Sequence, residues 1–562
     1  MPANAPDTEA HAEIEDLGDV AAPFLDDRAL AELAEFGEER PIAVGDVLFR
    51  AGDQFYDFVV ILEGEVEVVR SEQDHETLIV VHGSGRFLGE LNLLTGQRVY
   101  LTARVSKPGR ILAIPPDRFR ELLSSKPDIA DVIFRALVAR RERLRTGVAR
   151  DIVRIVGSRY SADALALRAF AARARVPHMW TDLEESDDVE VLLAGMGLRP
   201  RDTPVVVTPT AVLRHPSPGE FAEHLGLTFH APPGYTFDLV VVGTGPAGLA
   251  SAVYGASEGL DTISLDAAGS GGQAGASSRI ENYVGFPNGI SGDELAANAA
   301  IQAQRLGAKL NAPCVVSGLR TEAGFHVVEL EDGSEIPART VIIASGARYQ
   351  RLGVADRERF EGAGLYYAAT DLEVRTCGGQ PAIVVGGGNS AGQAAIYLAQ
   401  QRSNVLIAIR GDNLASKMSR YLVQRIEADP RIDVRTCTEV RGLEGDTRLE
   451  RVVLEHALSH TRWMVPCSGL FCFIGADPAT AWLDGVVALD DRGFVLTDRS
   501  LPDELIRGPS FIDRAPLPFE TSVPGMFAVG DVRNGSLKRV AAAVGEGSSA
   551  VRSVHEYLAG SG

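Results

Sequence analysis

The chain has no pair of cysteines at C-x-x-C spacing. Its five cysteines, Cys314, Cys377, Cys437, Cys467 and Cys472, are scattered and join no Cys/His cluster. A disulfide scaffold and a metal site are therefore not expected. Long apolar runs are missing as well. No stretch approaches the ~20 residues of a spanning helix, and the acidic opening (MPANAPDTEAHAEIEDLGDV) has neither a basic nor an apolar signal region. The expectation is a cytoplasmic protein with no membrane partner. Positive charge is scarce: Lys and Arg number 55 against 76 Asp and Glu, a formal net charge of -21. Nucleic acid is excluded as the main partner, because phosphate backbones demand clustered cations. The one basic run, Arg135–Arg145 (RALVARRERLR), falls at helical spacing and reads as a solvated helix face.

What is present is length and glycine. A chain of 562 residues exceeds one core and implies three or four domains, and 58 glycines imply many tight turns. Composition and pattern divide it into a disordered tail over 1–22, then segments 23–148, 149–230, 235–354, 355–443 and 444–562. Segment 23–148 reads as a short helix, many short strands (the Phe58–Val69 and Leu101–Ile114 runs among them) and a closing helix over Pro127–Arg145. Segment 149–230 alternates: strand Ile152–Val156, helix Ala162–Arg175, strand His178–Asp182, helix Val189–Met196, strand Val205–Val207.

From residue 235 the pattern changes. A buried parallel strand, Phe237–Val242, runs into Gly243-Thr244-Gly245-Pro246-Ala247-Gly248, then a helix, then a second strand, Thr262–Leu265, ending in Asp266. A glycine turn between strand and helix lets backbone approach a pyrophosphate, and the helix N-terminus favours its charge. Asp266, about twenty residues beyond the first glycine, is expected to accept from a ribose hydroxyl. A second unit repeats the order: strand Ala382–Val385, the turn Gly386-Gly387-Gly388-Asn389-Ser390-Ala391, a helix, and strand Asn404–Ile409 followed by Arg410. An acid there selects NAD, whereas a cation pairs with the extra phosphate of NADP. NADPH is the expected nicotinamide cofactor, with Lys417 and Arg420 as helpers and NADH as the alternative.

Further landmarks identify a family. Ala344-Ser345-Gly346 resembles the Ala-Thr-Gly crossing of two-dinucleotide flavoproteins, and Val523–Asp531 resembles their C-terminal FAD motif, with Gly530 and Asp531 at the ribityl chain. Together with Gly271-Gly272-Gln273 and Glu281-Asn282-Tyr283-Val284-Gly285-Phe286-Pro287, these motifs resemble bacterial thioredoxin reductases from about Phe237 to Leu558. The resemblance implies a homodimer that binds FAD and is reduced by NADPH, its nicotinamide domain inserted into the FAD domain and able to swivel. It also implies cofactor contacts at Gly272, Gln273 and Asn282. The departures matter equally. The family's Cys-Ala-Thr-Cys reads Ala368-Ala369-Thr370-Asp371, so the dithiol is gone; Asp371 is the catalytic candidate left over the flavin face. Cys377 reads as a buried small hydrophobe, and Cys467 and Cys472 as core. The family's phosphate clamp is reduced to Ile409-Arg410-Gly411. Its Arg-Gln-Ala reads Lys538-Arg539-Val540, which leaves Arg539 to bring charge to the flavin's pyrimidine edge beside Val540.

Segment 23–148 resembles the cyclic-nucleotide-binding fold of catabolite-activator-type proteins through Gly45-Asp46, Leu62–Val66 and Phe87-Leu88-Gly89-Glu90-Leu91. The resemblance implies a cyclic nucleotide held at Gly89, Glu90 and Leu91, with Glu90 on the ribose. The phosphate-binding Pro-Arg-Ala-Ala run reads Gln97-Arg98-Val99-Tyr100, so that Arg98 falls on the Pro and Val99 on the Arg. Segment 149–230 resembles a thioredoxin/glutaredoxin-like domain in which Ser158-Arg159-Tyr160-Ser161 replaces C-x-x-C and Thr203-Pro204 suits the cis-proline. The expected fold class is thus multidomain α/β: two Rossmann-like domains preceded by a β-rich barrel and a thioredoxin-like domain. The expected function is an NAD(P)H-dependent FAD oxidoreductase with an unidentified small-molecule or protein acceptor. The alternatives are a ferredoxin- or flavodoxin-NADP reductase and a non-catalytic redox or cyclic-nucleotide sensor.

Overall fold

The computed structural model describes residues 20–560 apart from 72–75, 147–151, 186–187, 233, 278, 323, 368, 370–373 and 375–378. The chain forms two compact units. One is Met1–His230 with Gln304–Leu306 and Asn311–Pro313; the other is Ala231–Ala303, Gly307–Leu310 and Cys314–Gly562.

The first unit opens with an antiparallel β-sheet in the order Glu38–Ile42, Thr102–Ile114, Phe58–Ser71, Glu76–Gly83. The long strand alternates as a half-buried strand must: Val66 and Val68 face the core while Glu65 and Glu67 face outward. Gly64, at φ +102°, sits where a Cβ would meet the Lys107 carbonyl oxygen at 2.6 Å, which explains the glycine at this irregular register. Phe58, Phe87 and Phe119 form the centre, with Phe58 stacked on Phe119 at 4.6 Å. Helix Pro127–Thr146 closes the sheet.

Two expectations are corrected here. The tail was expected to run to residue 22, yet Ala21 and Ala22 are buried, and the Ala21 carbonyl accepts from Arg140 at 2.7 Å. The basic run is only in part a solvated face: Arg135 and Arg143 are exposed, but its middle turns inward. Arg141 is only 2% exposed and Arg140 is turned inward onto backbone carbonyls, because both lie on the stripe that also carries the buried Ile133 and Leu137.

A second sheet of the same unit has the order Val212–Arg214, Val205–Val207, Val153–Gly157, His178–Asp182. Its first two strands in sequence pair in parallel and the rest antiparallel, with helices Ala162–Arg173, Asp188–Gly195 and Pro218–His224 alongside. Strand Val212–Arg214 and helix Pro218–His224 are additions to the pattern read from sequence. The Thr203-Pro204 bond is cis.

In the second unit, Phe237–Val242 lies between Thr262–Leu265 and Glu335–Ile343, parallel to both. Met526–Ala528 returns to pair in parallel with Val341–Ile343, so a long insertion separates two neighbouring strands of one sheet. The insertion builds a parallel five-stranded sheet ordered Leu365–Tyr366, Gly469–Cys472, Ala382–Val385, Val405–Ala408, Ile432–Arg435. This corrects the boundary at 443. Gly469–Cys472 is an inner strand of the inserted sheet, reached through the antiparallel strands Thr438–Glu444, Arg451–His456 and Arg462–Pro466. An antiparallel excursion of that kind gives no βαβ signal in sequence. Among the described residues, no helix is long and apolar enough to cross a membrane, and no group of His, Cys, Asp and Glu is placed to hold a metal.

Candidate dinucleotide sites

The first glycine turn is shaped by what cannot fit there. A Cβ on Gly243, at φ +110°, would lie 2.3 Å from the Ala344 carbonyl oxygen, so the strand-end crossing at Ala344 and the turn touch backbone to backbone. Gly245 caps helix Pro246–Ser257, and Gly272, at φ +52°, faces it with a Cβ position 3.0 Å from the Gly245 Cα. A Cβ on Gly530 would meet Ala247 at 2.9 Å, and one on Gly547 would meet the Ala247 carbonyl oxygen at 2.1 Å. The motifs at Gly243–Gly248, Gly272, Ala344 and Gly530 therefore converge. Two bare backbone turns facing each other at a helix N-terminus suit a pyrophosphate.

Side chains brace this cradle. Asp266, expected on a ribose, accepts four bonds: from the Thr244 N–H and hydroxyl of the glycine turn, both at 2.8 Å, and from the Ala268 and Gly269 N–H groups of its own turn at 2.9 and 3.0 Å. Those bonds fill a carboxylate's about four acceptor sites, so here Asp266 braces the loop. Gln273 donates to the Ala347 carbonyl. Gly530 donates its N–H to Glu546 at 2.7 Å, and Glu546 pairs with Arg533 at 2.8 Å. Burial raises the Asp531 carboxyl above its ordinary range, with Lys538 opposing and Glu546 reinforcing the shift. Val540 begins the long helix Val540–Gly560. Arg539 is exposed and donates to its neighbour's carbonyl at 3.1 Å, and Asn282 is exposed.

Glu546 and Tyr349 escaped the sequence reading. Tyr349 is pushed up by burial and by the Asp531 charge, and its ring meets Phe473 edge-on at 6.2 Å. Neither residue belongs to a fixed-spacing motif.

The second glycine turn repeats the device. A Cβ on Gly386, at φ +137°, would lie 2.3 Å from the Phe473 carbonyl oxygen. Gly388 caps helix Asn389–Gln400 with open space around its Cβ position. Asn389 and Ser419 exchange two hydrogen bonds, at 2.7 and 2.8 Å, which pins the loop after Arg410 across the turn. Ser390 and Ala391 open the helix, Ala391 buried against the sheet. Arg410, Lys417 and Arg420 are all exposed, and among the described residues none is in an ion pair. Arg425, on helix Arg420–Ala428, grips Glu281 of the first half at 2.8 and 3.0 Å. Asp371 and Cys377 lie outside the described residues. Cys472 is buried, and burial pushes its thiol up to about 12, which removes thiolate chemistry there. Cys467 is buried as expected.

In the first unit, Glu90 and Leu91 follow strand Phe87–Leu88, with Gly89 at φ +136°. The Glu90 carboxylate is held by Arg141, and Arg98 donates to the Gly52 carbonyl at 3.1 Å.

Comparison with known proteins agrees with these features. The profile described as pyridine nucleotide-disulphide oxidoreductase matches residues 237–547, and that of the cyclic nucleotide-binding domain matches 39–126. A thioredoxin reductase of Rickettsia felis is 30% identical over 331 residues, covering 58% of this chain and 98% of that protein. A 34.2 kDa protein in the rubredoxin operon of Clostridium pasteurianum is 28% identical, covering 58% and 97%. Among solved structures, thioredoxin reductase of Lactococcus lactis is 27% identical (TM-score 0.51; 58% of this chain, 99% of that one), and that of T. acidophilum 30% (TM-score 0.50; 57% and 98%). The C-terminal region is thioredoxin-reductase-like without the cysteine pair, is fused to a cyclic-nucleotide-binding domain, and by family binds FAD and NAD(P)H. Through a match over more than half its length, the chain belongs to the pyridine nucleotide-disulphide oxidoreductase family.

Proposed function

We propose that the C-terminal region takes hydride from NADPH onto FAD and passes electrons to an acceptor that meets the flavin directly, with no resident dithiol between them. When bound, FAD supplies the redox chemistry. The chain's residues supply position and charge. The first glycine turn and its Gly272 counterpart seat a pyrophosphate. Arg410, Lys417 and Arg420, exposed and in no ion pair among the described residues, offer charge to a 2′-phosphate. These three exposed cations, with the open space at Gly388, carry the choice of NADPH over NADH.

The parallel strands flanking each glycine turn, in a mixed sheet around Phe237–Val242 and a parallel one around Ala382–Val385, support two distinct Rossmann-like units, one inserted in the other. The resemblance to thioredoxin reductases supports a homodimer. Segment 149–230 is proposed as a thioredoxin-like domain on the strength of its strand order and pairing. Its Ser158–Ser161 turn has no thiol, and Arg159 is paired instead with Asp182 and Glu185 at 2.7 and 2.8 Å. Asp371 remains the candidate proton donor over the flavin.

The missing dithiol also favours a second reading, a reductase of a one-electron carrier protein, and the relative named for a rubredoxin operon makes such a carrier the first acceptor to try. An acceptor screen with FAD-loaded protein and NADPH separates these readings from a disulfide reductase. Turnover is expected with a carrier or a quinone and not with oxidised thioredoxin. Thioredoxin reduction at a comparable rate would overturn the proposal.

A further inference from the structure

The nucleotide-type cassette of the N-terminal unit already has an occupant. Arg141 grips the Glu90 carboxylate with two prongs: Nη2 donates to Oε2 at 2.7 Å, and Nε donates to Oε1. The Asn92 N–H adds a bond to Oε2 at 3.1 Å, so three of about four acceptor sites are filled from within the chain. Arg141 is buried under the Tyr100 ring, 5.8 Å from its centroid. A neutral ribose hydroxyl cannot replace the two-pronged Arg141 on this partly buried carboxylate without leaving a buried cation unpaired.

The phosphate end of the cassette is filled too, by the four-stranded module of residues 153–227. The Arg98 N–H donates to the Leu225 carbonyl at 2.8 Å, Gln97 reaches the Ala174 carbonyl at 3.4 Å, and Gln54 reaches the Gly226 carbonyl at 3.3 Å. Gly226, at φ +71°, comes so close that a Cβ would lie 2.9 Å from Gln54 Nε2 and 3.3 Å from Arg98 Cγ. Tyr100 is buried in that module's own core with Ile152, Val153, Phe221 and Leu225. Val99, in the register of the phosphate-binding arginine, is a buried apolar residue.

We infer that the cassette is a joint and not a receptor. Its occupant is this chain's own four-stranded module, seated on Gln97–Tyr100, with Glu90–Arg141 as the pin that holds the cassette in shape. Tested on full-length, FAD-loaded protein, calorimetric titration with cyclic AMP and cyclic GMP to millimolar concentration is expected to give no binding. Hydrogen exchange mass spectrometry on Glu90→Gln and Arg98→Glu should show amides of Val153–Gly157 and Pro218–His224 exchanging at least about tenfold faster than in the wild type. Flavin content is expected to be unchanged. Arg98→Glu strips no buried charge and decides the matter if Glu90→Gln does not fold. Binding of either nucleotide by the wild type that is lost in Glu90→Gln would overturn the inference, and so would unchanged exchange in the folded variants.

Discussion

Two kinds of ligand cradle occur in this chain, and they are built by opposite means. The dinucleotide turns are made by leaving side chains out: Gly243 and Gly386 each press so close to a carbonyl that a Cβ would lie 2.3 Å from its oxygen. The cassette in the N-terminal unit is filled from within, its carboxylate by Arg141 and its far end by Leu225 and Gly226. One fold keeps backbone-lined turns that only glycine can form. The other has kept the frame of a binding domain while its polar groups pair with the chain itself.

The sharpest way to break the comparison is to add a side chain to the open cradle. Gly243→Val places atoms against the Ala344 carbonyl at a φ that β-branched residues avoid. Loss of nearly all bound FAD is expected, read as flavin absorbance per protein after desalting. Next in size is Arg141→Ala, which leaves the partly buried Glu90 without its cation. The N-terminal unit should lose about 3–5 kcal/mol in denaturant unfolding, whereas the paired Glu90→Gln, Arg141→Met variant should lose much less. Arg410→Glu is expected to cut the kcat/KM ratio of NADPH to NADH by about tenfold, measured with one artificial acceptor.

The smallest effect is one of pH, and it separates the two units only weakly. Burial lowers His82 of the barrel to about 3 and His326 of the second unit to about 4, so both are neutral when folded. Their unfolded counterparts bind a proton below about 6.5, so stability is full above that value and falls as pH drops toward the folded values. One unit below it, each histidine costs about 1.4 kcal/mol. Urea midpoints taken between neutral pH and mild acid check this; His326→Asn should flatten the slope in the second unit.

The same contrast explains what could be read from sequence. Glycine at a strand-to-helix turn is a steric statement made within a dozen residues, so Gly243–Gly248 and Gly386–Ala391 were legible with their strands and helices. The cis Thr203-Pro204 bond was expected only through the resemblance to a thioredoxin-like domain, since nothing local to an X-Pro pair dictates it. The pairing of Glu90 with Arg141 was not legible, because the two residues are far apart in the chain and a basic run at helical spacing looks like a solvent face. Asp266 lies at the strand end as read, but its four bonds, three from backbone N–H groups and one from the Thr244 hydroxyl, depend on the exact paths of two turns. The inner strand Gly469–Cys472 was hidden by the antiparallel excursion before it.

Anaerobic titration of the purified, FAD-loaded protein with NADPH, followed by the flavin's visible absorbance, tests hydride transfer without a dithiol most directly. Bleaching at one equivalent of NADPH per flavin, with no further equivalent consumed by a disulfide, is the expected result. An oxidised spectrum that persists in excess NADPH and in excess NADH would contradict it.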